Sequence, residues 1–200
     1  MNNNGLLLIF SGPSGAGKGT VLKELLNGND NMKLSVSATT RTPREGECHG
    51  VHYFFMTKEE FEEQIANGQM LEHAEYCGKY YGTPSSQIMD WIEEGRDVVL
   101  EIEVQGARQI KEKRPDCVSI FVLPPSLEER LRYRNTEDEE TIQKRLAVAR
   151  QEMETARDYD YVIVNDTIEH TVEQINKIIA AEKLKVSRAK SNIERVLNND

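Results

Sequence analysis

Short apolar runs separated by longer stretches of helical period set the organisation of this chain. Leu6 to Phe10 is uninterrupted and apolar, and it ends in Ser11-Gly12-Pro13-Ser14-Gly15. That pattern predicts a fully buried strand running into a glycine-rich turn. Val21, Leu22, Leu25 and Leu26 then share one face of a helix that starts near Lys18 and stops near Asn27-Gly28. Leu34-Ser35-Val36-Ser37 reads as a second strand, and Asp97 to Leu100 with Ile102 as a third. Ser119 to Leu123 and Tyr161 to Val164 read as a fourth and a fifth. Helical patterns over Ser85 to Glu94, Val104 to Lys113 and Ile168 to about Arg188 lie between and after them. Buried strands alternating with helices predict an α/β fold on a mainly parallel sheet.

Two segments break that rhythm. Residues 38–83 hold short mixed strands (His52 to Phe55, Leu71 to Tyr76, Lys79 to Gly82) around a helix near Lys58 to Asn67. Residues 125–157 are helical, charged and rich in arginine. Each is expected as an insertion over the carboxyl edge of the sheet, where open α/β sheets bind ligands. This divides the chain into a core (1–37, 84–124 and 158–200), a first insertion (38–83) and a second (125–157).

With 200 residues, the chain can bury a substantial core without disulfides. The N-terminus lacks the basic start and apolar stretch of a signal peptide, and the longest apolar run is far shorter than a membrane span. Cys48, Cys77 and Cys117 are odd in number and form no C-x-x-C pair, which fits reduced thiols and a cytoplasmic location. The net charge of −9 argues against a nucleic-acid coat. The average hides an asymmetry, however: residues 1–44 carry a balance of +3 and residues 45–75 a balance of −7.

The positive segment contains the sharpest motif. Gly12-Pro13-Ser14-Gly15-Ala16-Gly17-Lys18-Gly19-Thr20 matches G-x-x-x-x-G-K, with Gly19 in place of the usual Ser or Thr. Glycines let successive backbone N–H groups turn inward around an anion, and the following helix adds its positive end. Lys18 supplies a mobile charge for terminal phosphates. Because Gly19 offers no hydroxyl, Mg²⁺ is expected to be held largely by nucleotide and water, near Thr20 and Glu101. Glu101 and Glu103 alternate onto one side of the third strand. A helix-capping role competes for Glu103, so Glu101 is the favoured ligand contact.

Arg41 and Arg44 can grip a second phosphate with their guanidinium forks. Tyr53, Glu72, Tyr81 and Thr83 follow in an otherwise acidic stretch. A carboxylate facing a ring N–H and an exocyclic amine is a way to select guanine over adenine. Arg130, Arg134 and Arg145 fall in the second insertion, the first two at i,i+4 on one helix face. On a mobile cap they could neutralise a phosphoryl group in flight.

Together these motifs resemble guanylate kinase. The resemblance rests on the loop Ser11 to Thr20, the run Ser37-Ala38-Thr39-Thr40-Arg41-Thr42-Pro43-Arg44-Glu45-Gly46-Glu47, Tyr80-Tyr81-Gly82-Thr83, and Val162-Ile163-Val164-Asn165-Asp166. It runs in order from about Leu6 to Lys183. It implies a P-loop parallel sheet flanked by helices, with an inserted mixed α/β GMP-binding segment and a helical lid. The implied reaction is reversible transfer of the ATP γ-phosphoryl group to GMP, with Mg²⁺ bound as MgATP.

By motif position, the resemblance assigns Gly12 through Thr20 and Asn165 to ATP. It assigns Ser37, Arg41, Arg44, Tyr53, Glu72, Tyr81, Thr83 and Glu101 to GMP, and Lys18, Arg41, Arg130, Arg134 and Arg145 to catalysis. The lid departs from the family pattern at Tyr133 and Asn135, where glycines are usual. A zinc site from Cys48-x₃-His52 and His73-x₃-Cys77 lacks a standard structural spacing. A binding module without catalysis would be expected to lack Lys18 and the lid arginines. The helical tail from Glu182 to Asp200 could pack on its own core or on a partner subunit, which leaves a homo-oligomer open.

Overall fold

The computed structural model describes residues 5–76, 78–126, 143, 146–147, 150–151 and 153–198. A five-stranded sheet forms its centre, in the order β2 (Met32–Leu34), β7 (Asp97–Glu101), β1 (Leu7–Ser11), β8 (Val118–Leu123), β9 (Tyr161–Val164). All four pairings are parallel. The predicted α/β fold is therefore the observed one.

Alternation along β1 explains the layers. Leu6, Leu8 and Phe10 point to one face, where they meet Val21, Leu22 and Leu25 of α1 (Lys18–Asn27) and Ile175 and Ile179 of α5 (Ile168–Lys183). Leu7 and Ile9 point to the other, against Ile88 and Ile92 of α3 (Ser86–Glu93) and Ala107 and Ile110 of α4 (Val104–Lys113). With both faces covered, the strands read as continuous apolar runs instead of alternating ones.

The first of the two expected insertions, residues 38–83, forms a sheet of its own: β4 (Phe54–Phe55), β3 (Ala38–Thr39), β6 (Lys79–Pro84) and β5 (Met70–Tyr76). It wraps a small core of Ala38, Phe61 and Met70 with α2 (Lys58–Ala66), whose start is fixed by a capping box between Thr57 and Glu60.

The strand expected over His52 to Phe55 is only Phe54–Phe55, and two other expected boundaries move further. The strand predicted over 34–37 splits: Met32–Leu34 pairs with β7, and Ala38–Thr39 joins the second sheet. Leu34 and Val36 alternate like a strand, but the chain leaves the central sheet just after Leu34. The final helix, predicted to reach about Arg188, ends at Lys183, and α6 (Lys190–Leu197) follows a turn. Glu182, 1% exposed, accepts from the Tyr161 hydroxyl at 2.5 Å and pairs with Lys185 at 2.6 Å. The turn lets Arg188 donate to the Asp116 carbonyl at 2.5 Å. Leu184, Val186, Val196 and Leu197 on this tail are exposed.

Buried polar contacts also pin the amino ends of the strands. Asp97 accepts from the Leu6 N–H at 3.0 Å and from Lys183 at 2.6 Å. Asp160 accepts from both the Ser119 N–H, at 2.8 Å, and its hydroxyl, at 2.6 Å. Of the predicted 125–157 insertion, the described part includes a 3₁₀ turn, Thr155–Asp158.

Candidate active site

The carboxyl ends of β1, β7 and β9 converge on one edge of the sheet. Chain order reverses on either side of β1, since β7 lies on one flank and β8 on the other. This is the switch point where open parallel sheets leave a crevice. The loop after β1 turns sharply at Gly12, with φ +153°, and a Cβ there would collide with the Val122 carbonyl. Only glycine lets the loop lie so close to β8.

Helix α1 then starts from Gly17, a left-handed residue, with no side-chain cap and no acid in its first turn. Its N–H groups face the loop, a ready anion site. Lys18 folds back over the loop, its Nζ donating to the Gly12 carbonyl at 2.6 Å and the Pro13 carbonyl at 3.4 Å. Asn165, 3% exposed at the end of β9, donates to the Ala16 carbonyl at 2.7 Å and accepts from the Thr171 hydroxyl at 3.1 Å. Its side chain thus fastens the loop to β9 and α5.

A cavity of about 560 Å³ opens in front of this loop. From the core, Gly12, Ser14 and Lys18 line it, together with Glu101, Glu103 and the first turn of α4. From the opposite side come Ser37 and Tyr53, which immediately precede β3 and β4, and Glu72 and Tyr81 of β5 and β6. A smaller cavity of about 310 Å³ lies beyond the loop, between Gly17 and Thr20 on one side and Asn165 to Glu169 on the other. The Asp166 carboxyl beside it is held below its usual range by His170 and by the Thr167 N–H.

Glu72 is the buried charge of the larger cavity, 6% exposed. It stands opposite Thr83 across the β5–β6 pair and accepts from the Thr83 hydroxyl at 2.6 Å. Burial raises its pKa, and the nearby Glu103 carboxylate adds to the rise, while the Thr83 bond opposes it. Arg41 lies at the other end of the second sheet's site. Its guanidinium packs 5.5 Å from the Tyr53 ring centre and forms a two-pronged pair with Glu47. That pairing, with the Arg44 N–H, lowers the Glu47 carboxyl to about 2. Burial raises the Tyr53 phenol.

Most of the residues singled out from sequence come together here. Lys18, Ser37, Tyr53, Glu72, Tyr81 and Glu101 line one cavity, and Thr83 sits buried directly behind Glu72. Arg44 is exposed and contributes its backbone N–H to Glu47. Arg130, Arg134 and Arg145, with Tyr133 and Asn135, lie outside the described residues. Glu103, for which a capping role competes in the sequence, occupies the N-cap position of α4, yet its side chain makes no capping bond and it faces the cavity. Its alternation with Glu101 was the available signal. Gly106 carried no signal of its own. His52, considered for zinc, accepts the Cys48 N–H at its Nδ1, within a turn; Cys77 lies outside the described residues.

The comparisons with known proteins agree with this geometry. Residues 4–182 match the protein-family model described as guanylate kinase. The chain is 56% identical over 192 residues to the guanylate kinase of Clostridioides difficile strain 630, covering 94% of each. It is 51% identical over 201 residues to that of Lactococcus lactis subsp. lactis strain IL1403, covering 99% of this chain and 97% of the relative. The crystal structure of guanylate kinase from Anaplasma phagocytophilum has a TM-score of 0.76 at 39% identity, covering 93% of this chain and 90% of that one. With a phosphate loop, an opposing sheet carrying a buried carboxylate, and matches over nearly its whole length, this chain belongs to the guanylate kinase family.

Proposed function

We propose that this chain transfers the γ-phosphoryl group of ATP to GMP, giving ADP and GDP by direct in-line transfer, with the two substrates meeting in the larger cavity. The observation that carries this is that one cavity is lined by Lys18 and the phosphate loop on one side and by Glu72 and Tyr81 on the other. A guanine held at the Glu72 end points its phosphate back toward Lys18.

Each residue has a part in that arrangement. Glu72, held by Thr83, accepts hydrogen bonds from the ring N–H and exocyclic amine of guanine, with Glu103 as a second acid at hand. Adenine presents a different donor set and would leave the buried carboxylate unsatisfied. Arg41, Arg44, Tyr53 and Tyr81 hold the GMP phosphate, and Ser37 lies at the same wall. The loop from Gly12 to Thr20 cradles ATP phosphates, with Asn165 setting its position and the smaller cavity beside α5 receiving the rest of the nucleotide. Positioning and charge neutralisation then supply most of the acceleration, as no covalent enzyme intermediate is needed.

Mg²⁺ takes hard oxygen donors, and the two expected near it are exposed in different cavities, Glu101 in the larger and Thr20 in the smaller, which fits a metal carried mainly by nucleotide and water. Bound with ATP, it would neutralise charge on the transferring phosphates. The division into core, GMP-binding segment (38–83) and lid (125–157) belongs to the same reading, with Arg130, Arg134 and Arg145 as lid cations. No helix among the described residues is long and apolar enough to cross a membrane.

A coupled ADP-release assay with GMP, AMP, CMP and UMP tests the proposal. The expected result is turnover with GMP far above the others; no turnover with any acceptor would overturn the enzyme reading.

A further inference from the structure

Helix α4 of the core grips β5 of the second sheet along one face. Gly106, Gln109 and Lys113 fall at i, i+3 and i+7 and so share that face. The Gln109 amide donates to the His73 carbonyl at 2.8 Å and accepts the His73 N–H at 3.2 Å, closing onto β5 as a neighbouring strand would. Lys113 donates to the Leu71 carbonyl at 2.8 Å. Glu72 lies between these two anchored residues and faces Gly106. A Cβ at position 106 would lie 2.5 Å from Glu72 Oε2, 2.9 Å from its Cδ and 3.2 Å from its Cγ.

The other carboxylate oxygen, Oε1, is fixed by Thr83 at 2.6 Å. Glu72 is therefore held between a hydroxyl on one side and bare helix backbone on the other, with its strand pinned at both neighbours. Gly106 is helical and is not among the glycines with positive φ. A glycine inside a helix is destabilising relative to alanine, so backbone conformation gives no reason for it. The adjacent carboxylate does.

We propose that Gly106 is a specificity-determining positioning residue, whose missing side chain reserves the space in which the Glu72 carboxylate faces the purine base. This rests on the reading of Glu72 as the group that recognises guanine. A methyl at 106 pushes the carboxylate off the Thr83 hydroxyl and out of register with the base, while the phosphate loop is untouched.

The test is a cycle of Gly106→Ala, Glu72→Asp and the double variant, with Glu72→Ala alongside. KM for GMP, KM for ATP, kcat and Tm are measured for each. Gly106→Ala is expected to raise KM for GMP by about tenfold or more, the scale of a lost charge-assisted hydrogen bond, with KM for ATP unchanged. In the Glu72→Asp background, where the carboxylate is drawn back by one methylene, the same methyl should have little further effect.

An unchanged KM for GMP in Gly106→Ala, while Glu72→Ala raises it, overturns the role of Gly106 and leaves base recognition by Glu72 standing. An equal effect of the methyl in both Glu72 backgrounds, or an equal rise in both substrates' KM, also overturns it, because a merely structural role would behave so. An unchanged KM for GMP in Glu72→Ala removes the recognition role and the proposal with it. Should Gly106→Ala fail to fold, Gly106→Ala/Glu72→Ala must fold, since the clash is gone; failure of both would overturn the proposal.

Discussion

Arg41 and Glu47 form a two-pronged ion pair, with Nη1 donating to Oε2 at 3.0 Å and Nη2 to Oε1 at 2.9 Å. Glu47 also accepts the Arg44 N–H at 2.7 Å, so one carboxylate organises both arginines proposed to grip the GMP phosphate. The pair presets Arg41 beside Tyr53 and Tyr81 before any phosphate arrives. Preorganised donors lose less freedom on binding.

Glu47→Gln is therefore expected to raise KM for GMP several-fold with a smaller change in kcat, measured by steady-state kinetics. The pH dependence has a definite sign. The folded pKa is lowered, from 4.5 to about 2, so the pair's contribution to stability is complete above pH 4.5 and is lost as pH falls toward 2. The Tm difference between wild type and Glu47→Gln should be flat above about pH 5 and shrink below it.

Lys18→Met removes the loop's mobile charge while keeping its length. Loss of a group aimed at developing charge typically lowers kcat by about 10²–10³. The expected outcome is a fall of that order in kcat, with GMP affinity changed far less. Comparable turnover would remove Lys18 from the transferring phosphate.

Glu72→Gln separates recognition from stability. Burial raises the Glu72 pKa, so the folded protein is relatively favoured below pH 4.5 and loses that advantage as pH rises through the raised value. Above it, the buried charge opposes folding, and a neutral amide relieves that while still accepting from Thr83. At pH 7–8 without nucleotide, Tm of Glu72→Gln should equal or exceed that of wild type, while KM for GMP rises by about tenfold or more.

Tyr161→Phe leaves the buried Glu182 carboxylate without its hydroxyl donor and should destabilise the fold by about 1–2 kcal/mol in denaturant titrations. The hydrogen bond to Glu182 is the main cause raising the Tyr161 phenol to about 12. Its contribution is present below pH 10 and is lost as pH rises through 12, so the two proteins should converge in strong alkali.

Gly19→Ser restores the hydroxyl of the stricter phosphate-loop motif at a position where nothing lies within 4 Å of an added Cβ. The fold should tolerate it without loss of Tm. The Mg²⁺ concentration for half-maximal rate should fall, read from rate against free Mg²⁺ at fixed ATP.

Local chemistry made much of this legible in the sequence. The glycine spacing from Gly12 to Lys18 and the apolar run before it specify strand, loop and helix within a single stretch, and α4 and β9 begin and end where their patterns do. Long-range contacts were harder to see. Leu34 and Val36 alternate like a strand, but only the pairing with β7 shows where the chain departs. The helix after Ile168 stops at Lys183, where the buried Glu182 is tied to Tyr161, Lys185 and Arg188. Gly106 looks like any helical glycine until Glu72, 34 positions earlier in the chain, is brought against it.

The buried polar contacts around Asp97, Ser119 and Tyr161 sit at the amino ends of the strands, and the groups proposed to face the ligands sit at the carboxyl ends. A five-residue strand such as β1 spans about 15 Å between them, beyond the range at which substitutions usually couple. The sheet thus works as an insulator between two workshops: repairs at its base can harden the protein without retuning the chemistry at its rim. Stabilising changes near Asp97 or Tyr161 and specificity changes near Glu72 should combine additively, which makes this scaffold one whose durability and substrate choice can be altered independently.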